Sequence, residues 1–235
     1  MIVVGFDTAT VDTVACAWRD GEVLHESQLG LSPRGRPLHA TGLLQEVERA
    51  AAAAGGWQAV DVIAVGLGPG TFTGIRVGIA TARGLGVGLG LPLRGIGTLD
   101  VLGRGIAEAA AGAPALAVLD GWRGEVFAAL YAADGKRLWE PAVFRPEGLA
   151  ERVASLGATP SVAGPGAVRF RKELTRDGVR IADDSDPVHR VAARHLCALA
   201  AAAAGEDESE ELAPIYLRPP DAERWRERDA FQETK

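Results

Sequence analysis

Two aspartates each close a short apolar run and lead into a turn. Asp7 follows Ile2 to Phe6 and precedes Thr8, Ala9 and Thr10; Asp120 follows Ala115 to Leu119 and precedes Gly121 to Gly124. A carboxylate in such a place admits two chemistries. It can orient Mg²⁺ through water beside a phosphate, or it can accept a backbone N–H two residues on and cap its own turn. A third feature is the glycine-rich run Gly66-Leu67-Gly68-Pro69-Gly70-Thr71-Phe72-Thr73-Gly74. Such a turn can present free N–H groups to an anion at a helix start, or supply positive φ for purely structural ends. The spacing is neither dinucleotide fingerprint nor P-loop: a third fingerprint glycine would fall on Thr71 or Thr73, and Ile75 follows Gly74.

Metal and nucleophile chemistry finds little support. The four histidines, His25, His39, His189 and His195, are nowhere spaced at i, i+3 or i+4, so no helix offers an imidazole pair. H-E-x-x-H and G-x-S-x-G are both missing, which removes the zincin and hydrolase-elbow routes. Cys16 and Cys197 have no metal-type spacing and fit a reduced, cytoplasmic protein. No catalytic residue and no metal ligand is assigned.

The elements that must position these residues occur twice. Strand, Asp, turn, strand, Asp-Gly hairpin and strand run from Ile2 to Glu26 around Asp20-Gly21. The same order recurs from Ala115 past Leu138 and Trp139 around Asp134-Gly135. Two meanders in near register predict duplicated lobes. Between them, Ala40, Leu43, Leu44, Val47, Ala50, Ala51 and Ala54 follow helical spacing from about Pro37, and Gly55-Gly56 stops the helix. His39 and Glu46 fall on its polar side, where they are expected to be solvated or interfacial rather than catalytic. Val60 to Val65 predicts a buried strand before the glycine-rich turn.

A helix from about Gly74 to Gly90 carries Gly74, Gly78, Ala82, Gly86 and Gly90 every four residues. Glycine inside a helix costs about 0.5–1 kcal/mol against alanine, so this bare stripe predicts close approach of a second backbone. Either the chain's own lobe or another subunit would supply it. Thr98 is placed to cap a further helix bearing Leu99, Leu102 and Ile106. Asp186-Pro187 predicts the start of an alanine-rich helix reaching about Ala204; residues 206–211 read as an acidic solvated loop, and residues 221–235, with Trp225, as a charged frayed tail without a role.

Two meander-plus-helix lobes resemble the actin/Hsp70/sugar kinase (ASKHA) superfamily, an α/β fold that cradles ATP between its lobes. The expected boundaries are 1–107 and 108–220, the last helix packing back on the first lobe. The resemblance becomes specific at Asp7 to Thr10, at Gly66 to Arg76 and at Pro214 to Arg218, which match the TsaB (YeaZ) family's D-T-A-T, G-x-G-P-G-[ST]-F-T-G-[IV]-R and P-x-Y-L-R.

That resemblance implies a non-catalytic subunit of the machinery that makes threonylcarbamoyladenosine in tRNA. Its implied partners are a TsaD-like catalytic subunit and a TsaE-like ATPase, with a homodimer when alone and tRNA reached only through the complex. The expected partner surface is Ala40, Leu43, Leu44, Val47, Gly74, Gly78, Ala82 and Gly86. A vestigial nucleotide or phosphate site would use Asp7, Thr8, Thr10, Asp120, Gly164 and Gly166, with weak ATP or ADP binding at most. Ala9 replaces the glycine of the superfamily's usual turn. The paired histidines that hold metal in TsaD-like enzymes fall here on Thr98 and Leu102, neither of which replaces imidazole. The metal is therefore expected only in the catalytic partner. The rival readings are a small ATPase or phosphotransferase and, with no ligand set, a metallopeptidase.

The net charge of −6 and a pI near 5.3 disfavour a protein that grips RNA alone. Arg76 and Arg83 interrupt the most apolar stretch, residues 74–92, so no membrane span is expected.

Overall fold

The computed structural model describes residues 1–110, 112–175, 179–203 and 212–218. The acidic loop at 206–211, the tail from 221 with Trp225, and the helix end expected at Ala204 lie outside them. The first meander is β1 (Ile2–Asp7), β2 (Thr13–Arg19) and β3 (Glu22–Leu29), followed by α1 (His39–Ala53), β4 (Val62–Gly66), α2 (Phe72–Leu89), β5 (Leu93–Ile96) and α3 (Thr98–Ala109). The second is β6 (Ala115–Asp120), β7 (Val126–Tyr131) and β8 (Arg137–Phe144), followed by α4 (Pro146–Ala154), β9 (Ser161–Ala163), α5 (Pro165–Arg169), α6 (Arg171–Leu174), β10 (Arg180–Ile181) and α7 (Ala193–Ala202).

Both sheets have five strands, in the orders β3-β2-β1-β4-β5 and β8-β7-β6-β9-β10. Each opens with an antiparallel hairpin pair and closes with parallel strands. The register places Asp7 opposite Val14 and Asp120 opposite Val126. The chain is therefore a two-lobed ASKHA-type α/β fold with its topology duplicated.

Alternation along β1 builds the layers, because successive side chains leave a strand on opposite faces. Val4 and Phe6 face a core shared with α1 and α2, whereas Val3 faces one shared with α3 and α7. In the second sheet Leu116 and Val118 meet α4, α5 and α6, and Ala115, Ala117 and Leu119 turn to the central layer. There the helices cross over: α7 packs on β1 and β2 of the first sheet, and α3 on β6 and β7 of the second. Gly5 makes room for this, since a Cβ there would lie 2.6 Å from Cys197 Sγ. One continuous core thus fastens the two sheets together.

Two local expectations change. Asp186 caps only a single 3-10 turn at Pro187–His189, by accepting Val188 N–H at 2.9 Å; extended backbone at Arg190 and Ala192 then delays the helix to Ala193. That break lets His189 and Val191 bury their side chains. Thr98 is the first residue of α3 rather than its cap, and its hydroxyl is used elsewhere.

Candidate functional site

The turn after β1 is closed by the chain itself. Asp7 is 1% exposed, and its Oδ1 accepts Ala9 N–H at 2.6 Å. Its Oδ2 accepts the Thr98 hydroxyl at 2.7 Å, and Thr98 Oγ1 in turn accepts Gly68 N–H at 3.2 Å. Burial pushes the Asp7 carboxyl up to about 6, against the pull of those two bonds.

The glycine-rich run lies over this turn as a lid. A Cβ on Gly66 would sit 2.0 Å from the Asp7 carboxylate, on Gly70 2.1 Å from Ala9 O, and on Gly74 1.9 Å from Thr8 O. Thr71 N–H donates to Ala9 O at 2.7 Å, and the Thr8 hydroxyl to Gly74 O at 2.7 Å. Thr71 Oγ1 caps α2 by accepting Gly74 N–H at 3.2 Å. The N–H groups of Ala9, Gly68, Thr71 and Gly74 are thereby engaged within the chain, and the three glycines abut the Asp7 carboxylate and the backbone of the turn.

In the second lobe, Asp120 Oδ1 accepts Trp122 N–H at 2.8 Å and Oδ2 pairs with Arg169 at 2.6 Å. A guanidinium thus stands where a phosphate-binding turn would want a hydrated cation. Gly164 and Gly166 serve close packing: a Cβ would fall 2.1 Å from Val118 O and 2.6 Å from Leu119 O respectively. Gly164 N–H donates to His189 Nδ1 at 3.1 Å, which leaves Nε2 to donate to Ala182 O at 3.3 Å. Of the nucleotide set, Thr10 lines an open cleft of about 480 Å³ between the lobes, with Asp12, Leu31, Pro165, Arg169 and Arg190.

The metal positions implied by TsaD-like enzymes do not fit a metal. Thr98 is engaged with Asp7, Leu102 is 1% exposed in the central core, and its Cδ2 abuts Gly164. Among the described residues no cluster of three or more His, Cys, Asp or Glu is arranged to hold one.

The expected partner surface needs a correction. Gly74 and Gly78 face the Thr8 turn, Gly86 faces Leu93, and Ala82 is fully buried; Leu43 and Val47 are core residues under α1. The bare stripe exists so that α2 can lie against its own lobe. Only Ala40 and Leu44 of the expected set are exposed, Leu44 at 57%. The outer face of α2 presents Ala80, Gly84, Val87 and Gly88 instead, with Val87 88% exposed and open space beyond both glycines. His39 and Glu46 are not solvated either. Both are buried, His39 Nδ1 2.8 Å from Thr13 Oγ1 and Glu46 paired with Arg49 at 2.5 Å. Burial holds the His39 imidazole below its ordinary pKa.

Residues 212–218 form a strap whose role the spacing alone does not give. Ile215 N–H donates to Leu67 O at 2.8 Å. Tyr216 stacks on Phe72 with centroids 5.6 Å apart, and its hydroxyl accepts Arg76 Nε–H at 3.0 Å. Arg218 reaches the other lobe, paired with Glu125. The sequence signal was the motif pair itself: G-P-G-T-F-T-G-I-R and P-I-Y-L-R meet through Phe72, Arg76 and Tyr216.

Comparison with known proteins places the chain in a family. A family model described as TsaD, tRNA N6-adenosine threonylcarbamoyltransferase, matches residues 21–214. The tRNA threonylcarbamoyladenosine biosynthesis protein TsaB of Escherichia coli is 29% identical over 225 residues, covering 93% of this chain and 95% of that protein. The solved structure of YeaZ from Pseudomonas aeruginosa is 28% identical, with a TM-score of 0.75 over 92% of this chain and 99% of its own. A ROK hexokinase from Thermus thermophilus, 14% identical at a TM-score of 0.51 over 86% and 99%, shares the fold alone. No helix among the described residues is long and apolar enough to cross a membrane. The chain belongs to the TsaD family, and within it to the TsaB (YeaZ) group.

Proposed function

We propose that this chain is a non-catalytic subunit in tRNA threonylcarbamoyladenosine biosynthesis, acting by pairing with a TsaD-like catalytic subunit. The observation that carries the reading is the closed first turn. Gly66, Gly70 and Gly74 close over Asp7, Ala9 and Thr8, so the residue best placed to meet a phosphate meets Ala9 N–H and the Thr98 hydroxyl instead. The replacement of both implied metal ligands by Thr98 and Leu102 supports the same conclusion. What remains outward is a helical face of small and apolar residues, Ala80, Gly84, Val87 and Gly88 on α2 with Arg83 beside them, and Leu44 on α1. That face pairs with the catalytic subunit, and with a second copy of this chain when the subunit is missing. A TsaE-like ATPase joins the pair, and tRNA is engaged by the assembly.

Light scattering of this chain mixed with its host's TsaD-like protein tests the proposal, together with threonylcarbamoyl transfer to tRNA. The expected result is a complex, with transfer that needs both chains. Transfer by the TsaD-like protein at full rate without this chain overturns it. The small-ATPase reading has one feature in its favour, the open interlobe cleft; Arg169 on Asp120 and His189 on Gly164 N–H speak against it.

A further inference from the structure

The duplicated lobes treat their equivalent turns differently. The first, after Asp7, is sealed by the glycine-rich lid. The second, after Asp120, is uncovered, and Trp122 at its tip is 47% exposed. Trp122 and Arg123 both adopt left-handed backbone, φ +60° and +56°, followed by Gly124 at +78°. Bulky residues rarely adopt this conformation, which persists where the surroundings or a function require it.

Around this turn the surface has a distinct chemistry. The large aromatics exposed among the described residues are Phe72, Trp122 and Tyr216. All three lie along one edge. Tyr216 stacks on Phe72; two residues along the strap Arg218 pairs with Glu125, and Glu125 N–H donates to Trp122 O at 3.1 Å. Arg76 sits 3.7 Å over the Phe72 ring. The same edge carries the guanidinium of Arg76 and the ion pairs Arg169–Asp120 and Arg218–Glu125. Exposed aromatic faces beside guanidinium planes suit unpaired nucleobases and their phosphates.

We propose that the Trp122–Arg123 turn, continued by the Tyr216–Phe72 stack, is an RNA-contacting edge on which unpaired bases of the tRNA stack once the complex has formed. This rests on the proposed function. It places RNA at the Phe72 end of α2 and the protein partner toward Val87, about 22 Å along the helix.

Trp122→Gly tests it without threatening the fold, because glycine adopts the left-handed turn freely. In the assembled complex, fluorescence anisotropy with unmodified tRNA is expected to show binding weakened about tenfold by Trp122→Gly and restored by Trp122→Phe. Equal tRNA affinity for wild type and Trp122→Gly overturns the inference and leaves the proposed function standing. Loss of the protein complex in Trp122→Gly assigns the turn to partner docking and also overturns it. If the wild-type complex does not form, the proposed function fails and the edge is read on this chain alone. Single-stranded oligoadenylate should then quench tryptophan fluorescence in the wild type and not in Trp122→Gly; equal quenching, or none in either, sinks it.

Discussion

Thr98 donates its hydroxyl to Asp7 Oδ2 at 2.7 Å across 91 positions of sequence, tying the first turn of α3 to the end of β1. Because α3 packs on the second sheet and β1 is central to the first, this bond ties the first sheet to a helix seated on the second. It also holds a carboxylate where water cannot reach it.

That burial has a consequence for stability. The Asp7 carboxyl titrates near 6 in the folded chain against an ordinary value of 3.8. As pH rises the unfolded chain therefore loses this proton first. The group's contribution is complete below about pH 4, declines up to about pH 6 and stays lost above. At about 1.4 kcal/mol per pH unit the loss approaches 3 kcal/mol. Asp7→Asn, which cannot ionise, should gain on the wild type by that amount between pH 4 and 7 in urea denaturation. Parallel stability curves would show that the carboxyl is not disfavoured by burial.

Glycines on the two faces of α2 should respond oppositely to alanine. At Gly74 a Cβ would be 1.9 Å from Thr8 O, so Gly74→Ala must displace backbone and is expected to cost several kcal/mol or prevent folding. Gly84 and Gly88 have nothing within 4 Å, so alanine there should stabilise by roughly 0.5–1 kcal/mol each through helix propensity. Thermal unfolding of the three variants decides it, and a stable Gly74→Ala would refute the lid.

Much of this architecture was legible in the residues. The paired meanders follow from apolar runs broken by Asp-Gly turns, and both observed sheets follow from the pairs. The helix stripe was legible as close packing, but not its direction. Periodicity reports which residues share a face and is silent on whether sheet or solvent lies opposite, so Gly78 and Ala82 read equally well as a docking surface. His39 and Glu46 misled for a similar reason, since polar type suggests water whereas α1 buries both, His39 Nδ1 against Thr13 and Glu46 beside Arg49. The strap depends on contacts over more than 100 positions, Arg76 with Tyr216 among them, for which local spacing carries no signal.

Nucleotide should leave the chain almost unmoved. With Asp7 sealed, Asp120 held by Arg169 and Gly164 N–H held by His189, millimolar Mg²⁺–ATP is expected to raise the melting temperature by less than about 1 °C. A ligand at 100 times its Kd would add about 2.7 kcal/mol, worth several degrees in a chain of this size. A shift of that size would mean that the Asp7 turn opens, and would return the ATPase reading to the front.

The partner face can be separated from the fold by choosing the correct side of α2. Gly78→Leu would drive its side chain into Thr8 and Val65, so a lost complex in that variant reports unfolding as readily as a lost interface. Val87 and Leu44 are 88% and 57% exposed, so aspartate at either position should change the melting temperature little. At an apolar contact with the catalytic subunit each new carboxylate would be buried without a partner. The expected loss is at least tenfold in affinity per substitution, measured by light scattering or titration calorimetry. Wild-type affinity in Val87→Asp and Leu44→Asp together would move the contact off this face. Loss of affinity without loss of melting temperature would place the catalytic subunit against the outer side of α1 and α2, opposite the glycines that seat α2 on its own lobe.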